Sequence, residues 1–510
     1  MAFLDSLKVI AAYAAFPFIA YAIVVFSYRL LLLPLRSYPG PLGAKLSDAY
    51  NGYFSMQKCL HLVTQRDHRK YGSVIRNGPN KLLFNSAKAL HDIYDNDNIV
   101  KSHVYLSTVQ SPGVYSLFTV IDKPSHSVKR KIVGQALNDR SMRIFEPTMT
   151  EQIDLFIKYL SLCSKDAKPV NITDRVAYLA CDIIALLSLG FRLRLQTDPS
   201  YRWMIQGMFL ANHLANVRMQ YFRLQQLRRL LEKMIITRSS EDKHVRYDLY
   251  SIASEANSEG EAIRASEIWS EAMVFFPAGA FSTAAGTCAL FFYLSRNPKC
   301  YQRLVDEIRS TFSNNSEIQA GPKLASCKYL RACIDEALRI APPVPGTLWR
   351  EVAAESNGQP LVVDGHVIPP GTQVGVNMYT LHHNEEYFPD PYAFKPERWL
   401  ASETQETHRK VMSEAFSPFS IGYRGCAGKA MAYLETSLII AKTLWYFNFE
   451  SAPGKLGEVG GGIPRRRDGR ARPDEYQLYD VIAGQHDGPY LVFKPRGDAC
   501  QGLDADGLTF

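Results

Sequence analysis

One short segment constrains this chain more than any other. Residues 419–428 read Phe-Ser-Ile-Gly-Tyr-Arg-Gly-Cys-Ala-Gly, and they place a single cysteine, Cys426, among three glycines, two aromatic residues and an arginine. An apolar stretch that predicts a helix over about 427–446 follows at once. The cysteine is therefore expected in a tight loop at the start of a buried helix.

This arrangement suits an anionic sulfur beside a flat cofactor. Glycines let the backbone approach the cofactor closely, and the free N–H groups of a helix N-terminus stabilise a thiolate. Arg424 can pair with a carboxylate, and Phe419 can pack near the sulfur and limit water. Taken alone, such a cysteine is more often a buried structural residue in a glycine-rich turn. The spacing Phe-x-x-Gly-x-Arg-x-Cys-x-Gly, with five fixed residues in ten, favours the cofactor.

The segment resembles the haem-binding loop of the cytochrome P450 family, whose ten-residue signature it matches at each fixed position. The resemblance implies a mainly α fold with small β-sheets. It implies haem b (heme) with its iron bound by the Cys426 thiolate, which favours O–O cleavage. It also implies cofactor contacts from Arg424 (to a propionate), Phe419 and Gly428, and an NADPH-cytochrome reductase as electron donor.

Two further motifs extend the resemblance. Glu336 and Arg339 form Glu-x-x-Arg on one helix face, a motif that is very weak alone but lies about ninety residues before Cys426. Arg398, in Phe-Lys-Pro-Glu-Arg-Trp, resembles the family's second arginine site. The resemblance implies a buried ion network of these three residues that fixes geometry more than it adds stability.

Three more residues resemble those that reach the haem propionates in the family. They are His126 and Arg130, four apart on a predicted helix, and Arg350. For His126 and Arg130, a basic solvated helix face is nearly as good an explanation.

The helix expected on the oxygen side departs from the family pattern Ala/Gly-Gly-x-Asp/Glu-Thr. Gly279 matches, but Phe281 stands at the acidic position and Ser282 at the threonine position, with Thr283 next. In the family, the acid and the hydroxyl relay protons. Here we predict Ser282 and Thr283 as the catalytic hydroxyls, because a phenyl ring cannot carry a proton. Alternatively, Phe281 simply fills the core.

The N-terminus has twenty uncharged residues, 9–28, which as a helix would span roughly 30 Å of bilayer. Arg29, Arg36 and Lys45 follow this stretch, and this bias places the remainder in the cytosol. We therefore predict a single-pass endoplasmic-reticulum anchor over 1–36 and a haem-thiolate catalytic domain over 37–510. A signal peptide or a buried core helix are the alternatives.

The composition supports one large domain in a reducing compartment. No Pro/Gly/Ser-rich linker divides the chain after about residue 45, and 46% of the 510 residues are hydrophobic. Nine cysteines without a Cys-x-x-Cys pair argue against a disulfide framework. The net charge of +8 is spread along the chain and does not indicate nucleic-acid binding.

The hydrophobic pattern predicts few but long elements. A small sheet is expected within 70–100, helices over 265–294, 299–312 and 325–340, and an exposed loop over 460–467. Short strands are expected at 361–363, 374–376 and 489–493.

The favoured function is oxidation of an apolar small molecule with O2, and parts of the sequence look most like fungal secondary-metabolism members of the family. Access-channel residues are expected within 103–118, 278–283 and 344–348. A haem-thiolate enzyme giving desaturation, ring rearrangement or isomerisation is the second hypothesis. A noncatalytic haem-binding protein is the third, and it is disfavoured because 278–283 contains no His or Met.

Overall fold

The computed structural model describes residues 16, 20–109, 113–216, 265–352, 360–500 and 503. Most of this chain is helical, and the architecture is the predicted mainly α fold with small sheets. The α-helices are α1 Leu42–Leu46, α2 Ala49–Met56, α3 Leu60–Tyr71, α4 Ala87–Tyr94, α5 Lys123–Ala136, α6 Asp139–Lys165, α7 Ile172–Leu189, α8 Trp203–Asn216, α9 Ala265–Arg296, α10 Pro298–Thr311, α11 Pro322–Ser326, α12 Lys328–Ile340, α13 Met378–His382, α14 Glu406–Ala415 and α15 Lys429–Tyr446.

In the described part of the chain, ten short strands form three sheets. They are β1 Val74–Gly78, β2 Lys81–Phe84, β3 Ile99–Lys101, β4 Val170–Asn171, β5 Arg350–Val352, β6 Leu361–Val363, β7 His366–Ile368, β8 Gln373–Val376, β9 Phe447–Ser451 and β10 Tyr490–Pro495. The largest sheet has the order β1-β2-β8-β5-β3, with β2 and β8 parallel and the other pairs antiparallel. The others are β4-β10-β9 and the hairpin β6-β7. The three strand runs predicted after residue 345 are confirmed.

The long apolar helix α9 is the centre of the helical core. It continues through Pro277 and ends at Arg296, two residues beyond the predicted end, where Pro298 begins α10. Its main neighbour is α7. Gly279 makes this approach possible, because a Cβ there would lie 2.7 Å from Cδ1 of Ile184. The predicted helices over 265–294 and 299–312 are therefore confirmed.

The prediction of a sheet within 70–100 is only partly right. Strands β1, β2 and β3 lie there, but Ala87–Tyr94 is the helix α4. Ser86 caps this helix, since its Oγ accepts a hydrogen bond from the Ala89 N–H at 3.1 Å. Ala89, Leu90 and Ile93 lie buried against the sheet. The helical spacing of the buried residues and the Ser86 cap favour a helix here, although the short apolar runs had predicted strands.

The single helix predicted over 325–340 is wrong in one respect, because it is broken at Cys327 into α11 and α12. The carboxylate of Glu307 accepts hydrogen bonds from the N–H groups of Tyr329 and Leu330, each at 2.8 Å. These two donors belong to the first turn of α12, where backbone N–H groups lack partners within the helix. A side chain from α10 thus begins a new helix at this point.

Half of the predicted membrane anchor, residues 1–36, lies outside the described residues. Its last part is a short apolar helix, Ala20–Leu32, on which Tyr21, Val24, Leu31 and Leu32 are exposed. Among the described residues, Ser270–Arg296 is also long and apolar enough to cross a membrane, but 67% of its most apolar window is buried in the protein. That segment lies within the core helix α9.

The nine cysteines, all at described positions, are free thiols, as predicted from their spacing. Residues 463–467 of the predicted loop are exposed, whereas the glycines 460–462 are half-buried. The core has two large parts. One surrounds α6, α7, α9, α12 and α15, and the other lies between the five-stranded sheet, α4 and α13.

Candidate active site

The cysteine loop is closed by its own backbone. The Cys426 N–H donates to the Phe419 carbonyl at 2.8 Å, and the Gly425 N–H donates to the Gly422 carbonyl at 2.9 Å. Gly422 has φ +70°, and a Cβ there would lie only 2.2 Å from the carbonyl oxygen of Tyr94. The loop therefore needs glycine at 422 to pack against the end of α4.

Cys426 is the one cysteine of the nine whose side chain is exposed. It lies three residues before Lys429, the first residue of α15, and the Gly428 N–H donates to its sulfur. Burial by surrounding protein raises the pKa of the Cys426 thiol, while the Gly428 N–H and the charges of Arg130 and Lys429 lower it. The sulfur is thus accessible, although it lies within the protein.

Several cations converge on the same region. The Arg130 guanidinium donates to the Gly425 carbonyl at 2.7 Å, and Arg350 is buried at the start of β5 with its guanidinium over the ring of Tyr94. His126 is buried edge-to-face against Tyr423, with ring centroids 5.6 Å apart. The structure therefore brings together residues from α5, β5 and the cysteine loop.

Arg424 makes contacts that its sequence position did not indicate. It donates to the carbonyl oxygens of Val120 and Ile121 at 3.0 and 2.5 Å, and to the Tyr423 hydroxyl at 2.9 Å. The guanidinium therefore ties the cysteine loop to the chain just before α5. Its predicted pairing with a propionate stays a prediction.

This region fits a flat cofactor with anionic groups at its edge. His126 is a buried side chain whose Nδ1 has no hydrogen-bond partner among the described residues. Burial and the positive charges of Arg424, Lys101, Arg130 and Arg350 lower the pKa of His126 to about 3. Positive charges that repel one another lie here beside a buried nitrogen without a hydrogen-bond partner. Carboxylates of a ligand would pair with these groups and offset their repulsion. Together with an accessible sulfur at a helix N-terminus, they fit haem.

Two small residues of α9, the helix expected on the oxygen side of the haem, are accessible. Ala278 is exposed and Ser282 half-buried, and the Ser282 hydroxyl donates to the Ala278 carbonyl one turn earlier. Thr283 is buried. Phe281 is fully buried and stacks on Phe209 of α8. Phe281 thus fills the core, as the alternative interpretation of the sequence had it.

The structure also brings together the three residues of the expected ion network. Arg339 donates from Nε to Glu336 Oε2 and from Nη2 to Oε1, each at 2.9 Å, and Arg398 Nε donates to Oε1 at 3.0 Å. All three are buried. Burial opposes ionisation of Glu336, but its arginine partners hold the pKa of the carboxyl below its usual value. Trp399 Nε1 adds a bond to Oε2 at 3.0 Å.

A family model described as cytochrome P450 matches residues 52–458, which include every motif above except the N-terminal stretch. The chain belongs to the cytochrome P450 family. It is accordingly an oxidoreductase of the monooxygenase type, and its family cofactor is a haem whose iron is bound by a cysteine thiolate.

Curated relatives of this P450 are fungal. It is 32% identical to the cytochrome P450 monooxygenase apf7 of Gibberella fujikuroi, over 94% of this chain and 97% of the relative. It is 33% identical to poxM of Penicillium oxalicum, over 92% of this chain and 91% of the relative. The crystal structure of the cytochrome P450 CYP102L1 has the same fold, with TM-score 0.70 at 18% identity, over 86% of this chain and 94% of that one.

Two buried charged residues of this P450 were not predicted from the sequence. Lys101, at the end of β3, is buried, and its pKa is held well below the usual value by burial and then by Arg424 and Arg350. Glu271 is buried on α9 and pairs with Lys129 of α5 at 3.2 Å. The only sequence feature that could have indicated them is the lysine at the end of the apolar strand Ile99–Lys101, because a charged side chain is rarely buried without a partner.

Proposed function

We propose that this P450 oxidises an apolar small molecule with O2, with Cys426 as the iron ligand and an NADPH-cytochrome reductase as the electron source. The observation that carries the proposal is the exposed Cys426 just before α15, close enough to Arg130 of α5 and to Lys429 for their charges to act on its thiol. When bound, the haem would supply O2 activation and oxidation of the substrate. The side chains of His126, Arg130 and Arg350 would hold its propionates, Phe419 and Gly428 would shape the sulfur side, and Arg424 would brace the loop.

The chain's own contribution to catalysis is proton delivery and exclusion of water. Ser282 is half-buried on α9. Its hydroxyl donates one hydrogen bond to the Ala278 carbonyl, and its oxygen can still accept a hydrogen bond from a proton donor. Thr283 is the second hydroxyl, one residue further along the helix and more deeply buried. Phe281 and Phe209 form an apolar wall where the family has an acid. We therefore assign the proton path to Ser282, with Thr283 in support.

The substrate class follows from the side chains expected along the access channel. Phe118, Val344 and Leu348 are half-buried, and Ala278 is exposed. Such side chains favour an apolar molecule, because apolar surface is stabilised by leaving water. Similar cytochrome P450 monooxygenases come from Gibberella, Penicillium and Alternaria, which supports a fungal secondary-metabolite intermediate as the substrate.

Residues 1–36 are proposed to anchor the protein in the endoplasmic reticulum, with the catalytic domain 37–510 in the cytosol. The support is the uncharged stretch 9–28 and the exposed apolar side chains of the helix Ala20–Leu32. Arg29 donates to the Leu46 carbonyl at 2.5 Å, so the end of this helix contacts α1. Arg36 donates to the Leu31 carbonyl at 2.7 Å.

One observation favours a second candidate. Because Phe281 is wholly buried, α9 offers no carboxylate at the relay position. A haem-thiolate enzyme that gives ring rearrangement or isomerisation without net oxidation would not depend on delivered protons, whereas desaturation would still consume O2, protons and NADPH electrons. NADPH consumption therefore separates isomerisation from oxidation, and a product without an added oxygen atom separates desaturation from oxygenation.

The test combines a spectrum with electron counting. Reduced protein with carbon monoxide should show the red-shifted Soret band of thiolate ligation, and Cys426→Ala should lose it together with most bound haem. Cys300→Ala, at a half-buried cysteine on α10, is the matched control and should keep both. Retention of the band in Cys426→Ala would overturn the assignment. NADPH consumed with reductase and an added substrate library should then yield oxygenated product, and turnover without NADPH would favour the second candidate.

A further inference from the structure

Residues 116–121 form a short segment between β3 and α5, and two charged side chains hold its residue 117 from opposite sides. Lys101 donates from Nζ to the carbonyl oxygens of Leu117 at 2.9 Å and Phe118 at 2.7 Å. On the other side, the Leu117 N–H donates to the Glu271 carboxylate, 2.8 Å from Oε1 and 2.9 Å from Oε2. Leu117 is thus bound through both its backbone groups to buried charges.

The same segment is fixed at its other end by the cysteine loop. Arg424 donates to the carbonyl oxygens of Val120 and Ile121. Inside the segment, the Ser116 N–H donates to Thr119 Oγ1 at 2.9 Å. Lys101 and Arg424 belong to the strand and the loop that carry the cofactor region. Glu271 comes from α9, the helix with the predicted catalytic hydroxyls.

Glu271 therefore joins three parts of the active site. It lies eleven residues before Ser282 on α9, which is roughly 16 Å along the helix axis. Its ion pair with Lys129 reaches α5, whose Arg130 contacts the cysteine loop. Both side chains of the pair are nearly buried, at 11% exposure for Glu271 and 8% for Lys129. In such surroundings, removing one partner of a hydrogen-bonded pair is costly.

The segment leaves one ring half-buried. Of residues 116–120, only Phe118 is not buried. Its ring packs edge-to-face on Tyr105, with centroids 5.2 Å apart, and lies 5.4 Å from Lys101 Nζ. Because Lys101 also contacts the Phe118 carbonyl, the ring and its backbone are positioned by the same contacts. The placement of Phe118 therefore depends on how firmly the segment is held.

We propose that Glu271 is a positioning residue that latches the 116–121 segment against α9 and so fixes Phe118 as a wall of the substrate pocket. Size selectivity for ligands of the haem iron then depends on a carboxylate that touches neither ligand nor cofactor. The inference rests on the proposed active site. It does not rest on turnover, substrate identity or reductase.

The experiment uses the full-length, haem-loaded protein and two nitrogen ligands of haem iron, imidazole and 4-phenylimidazole, titrated by the Soret shift. In Glu271→Ala, the Kd for 4-phenylimidazole should rise about tenfold, because the hydrogen bonds that hold the segment, and with it Phe118, to the carboxylate are lost. The Kd for imidazole, which is too small to reach the wall, should stay within about twofold. Hydrogen exchange should quicken in peptides covering 116–121.

Three variants separate the latch from a general structural role. Glu271→Gln keeps an oxygen for the Leu117 N–H, so it should fold where alanine fails and should shift the 4-phenylimidazole Kd by less, about threefold. Lys129→Met, which removes the ion pair but leaves both carboxylate oxygens of Glu271 for the Leu117 N–H, is the matched control and should leave exchange at 116–121 closer to wild type. In a Phe118→Ala background, Glu271→Ala should no longer change the ratio of the two Kd values, because the wall is already absent.

Equal shifts for both ligands, or unchanged exchange at 116–121 in the Gln and Ala variants, would overturn the latch. An additive effect of Glu271→Ala and Phe118→Ala would do the same. If the protein binds both ligands as expected but never oxidises a substrate, the proposed function fails while the latch stands.

Discussion

Phe209 of α8 and Phe281 of α9 stack with ring centroids 4.1 Å apart and ring planes inclined by 13°. Phe281 occupies the position at which the family carries a proton-relaying acid, and its ring is completely buried. The substitution is therefore part of the contact between two helices. Its consequence for catalysis is indirect, since it removes an acid and excludes water from the same place.

The stack predicts a cost for restoring the acid. Phe281→Asp should lower the stability of the protein by more than the roughly 3–5 kcal/mol of a large-to-small core change, because a carboxylate without a partner is also buried. Phe281→Leu is the control, and thermal unfolding of the haem-loaded protein is the measurement. A double-mutant cycle of Phe209→Leu and Phe281→Leu should give a coupling of about 0.5–1.5 kcal/mol. A stable, active Phe281→Asp protein would contradict this account.

The hydroxyls of α9 should govern coupling of electrons to product. Removing both, as Ser282→Ala with Thr283→Val, should raise the share of NADPH electrons lost as hydrogen peroxide, because positioned proton transfer contributes about 10²–10⁴ in rate. The measurement is the ratio of product to NADPH consumed. Ser295→Ala is the control, since that hydroxyl also donates to a carbonyl of α9 but lies far along the helix. A wild-type ratio in the double variant would assign the protons to another path.

The Glu336 network should be essential for the folded, haem-loaded state. Glu336→Gln leaves two buried guanidiniums without their counter-charge, which typically costs about 3–5 kcal/mol. We expect a strong loss of carbon-monoxide-binding protein and a lower unfolding temperature. Glu403→Gln breaks an exposed ion pair with Arg303 and should change stability by less than about 1 kcal/mol. Equal behaviour of the two variants would refute the structural role.

Glu435 of α15 should make stability depend on pH. It is buried, and its Oε1 has no hydrogen-bond partner among the described residues. Burial raises the pKa of its carboxyl to about 8, against about 4.3 in an unfolded chain. The folded state thus holds a proton that the unfolded state releases. The stabilisation that the bound proton of Glu435 gives the folded state is fully present below about pH 4.3, and it is lost as the pH rises through about 8.

Glu435→Gln isolates this titration. The unfolding temperature of the variant minus that of wild type should increase from about pH 5 to about pH 8 and then level off. Glu406→Gln, at an exposed position in α14, is the control and should give a flat difference. A flat difference for Glu435→Gln would mean that this carboxyl is ionised in the folded protein.

The N-terminal segment should hold the protein in membranes. Full-length protein should resist carbonate extraction from the endoplasmic-reticulum fraction, and removal of residues 1–36 should release it. The reason is that about twenty apolar residues in a helix match the hydrocarbon thickness. A charge-reversed control, Arg29→Glu with Arg36→Glu, should alter orientation more than attachment. Extraction of the full-length protein by carbonate would remove the anchor hypothesis.

Much of the fold and of the site could be predicted because it depends on sequence patterns that extend over only a few residues. The spacing around Cys426 indicated a loop that precedes a helix, and the structure starts α15 three residues after the cysteine. The apolar run after 265 predicted α9 to within two residues of its end. Glycine-rich turns, helical periodicity and proline positions act over a few residues, so a sequence shows them directly.

The tertiary structure alone decided which distant side chains meet. Nothing in the sequence indicated that Phe281 would face Phe209, that Arg424 would bind the carbonyls of Val120 and Ile121, or that Glu271 would accept the Leu117 N–H. The break at Cys327 likewise depends on Glu307 from another helix. Sequence determined the elements and the chemistry of the cysteine loop. Packing decided the contacts, because buried charges and rings take whichever partners neighbouring elements bring within reach, and that depends on how helices pack rather than on spacing along the chain.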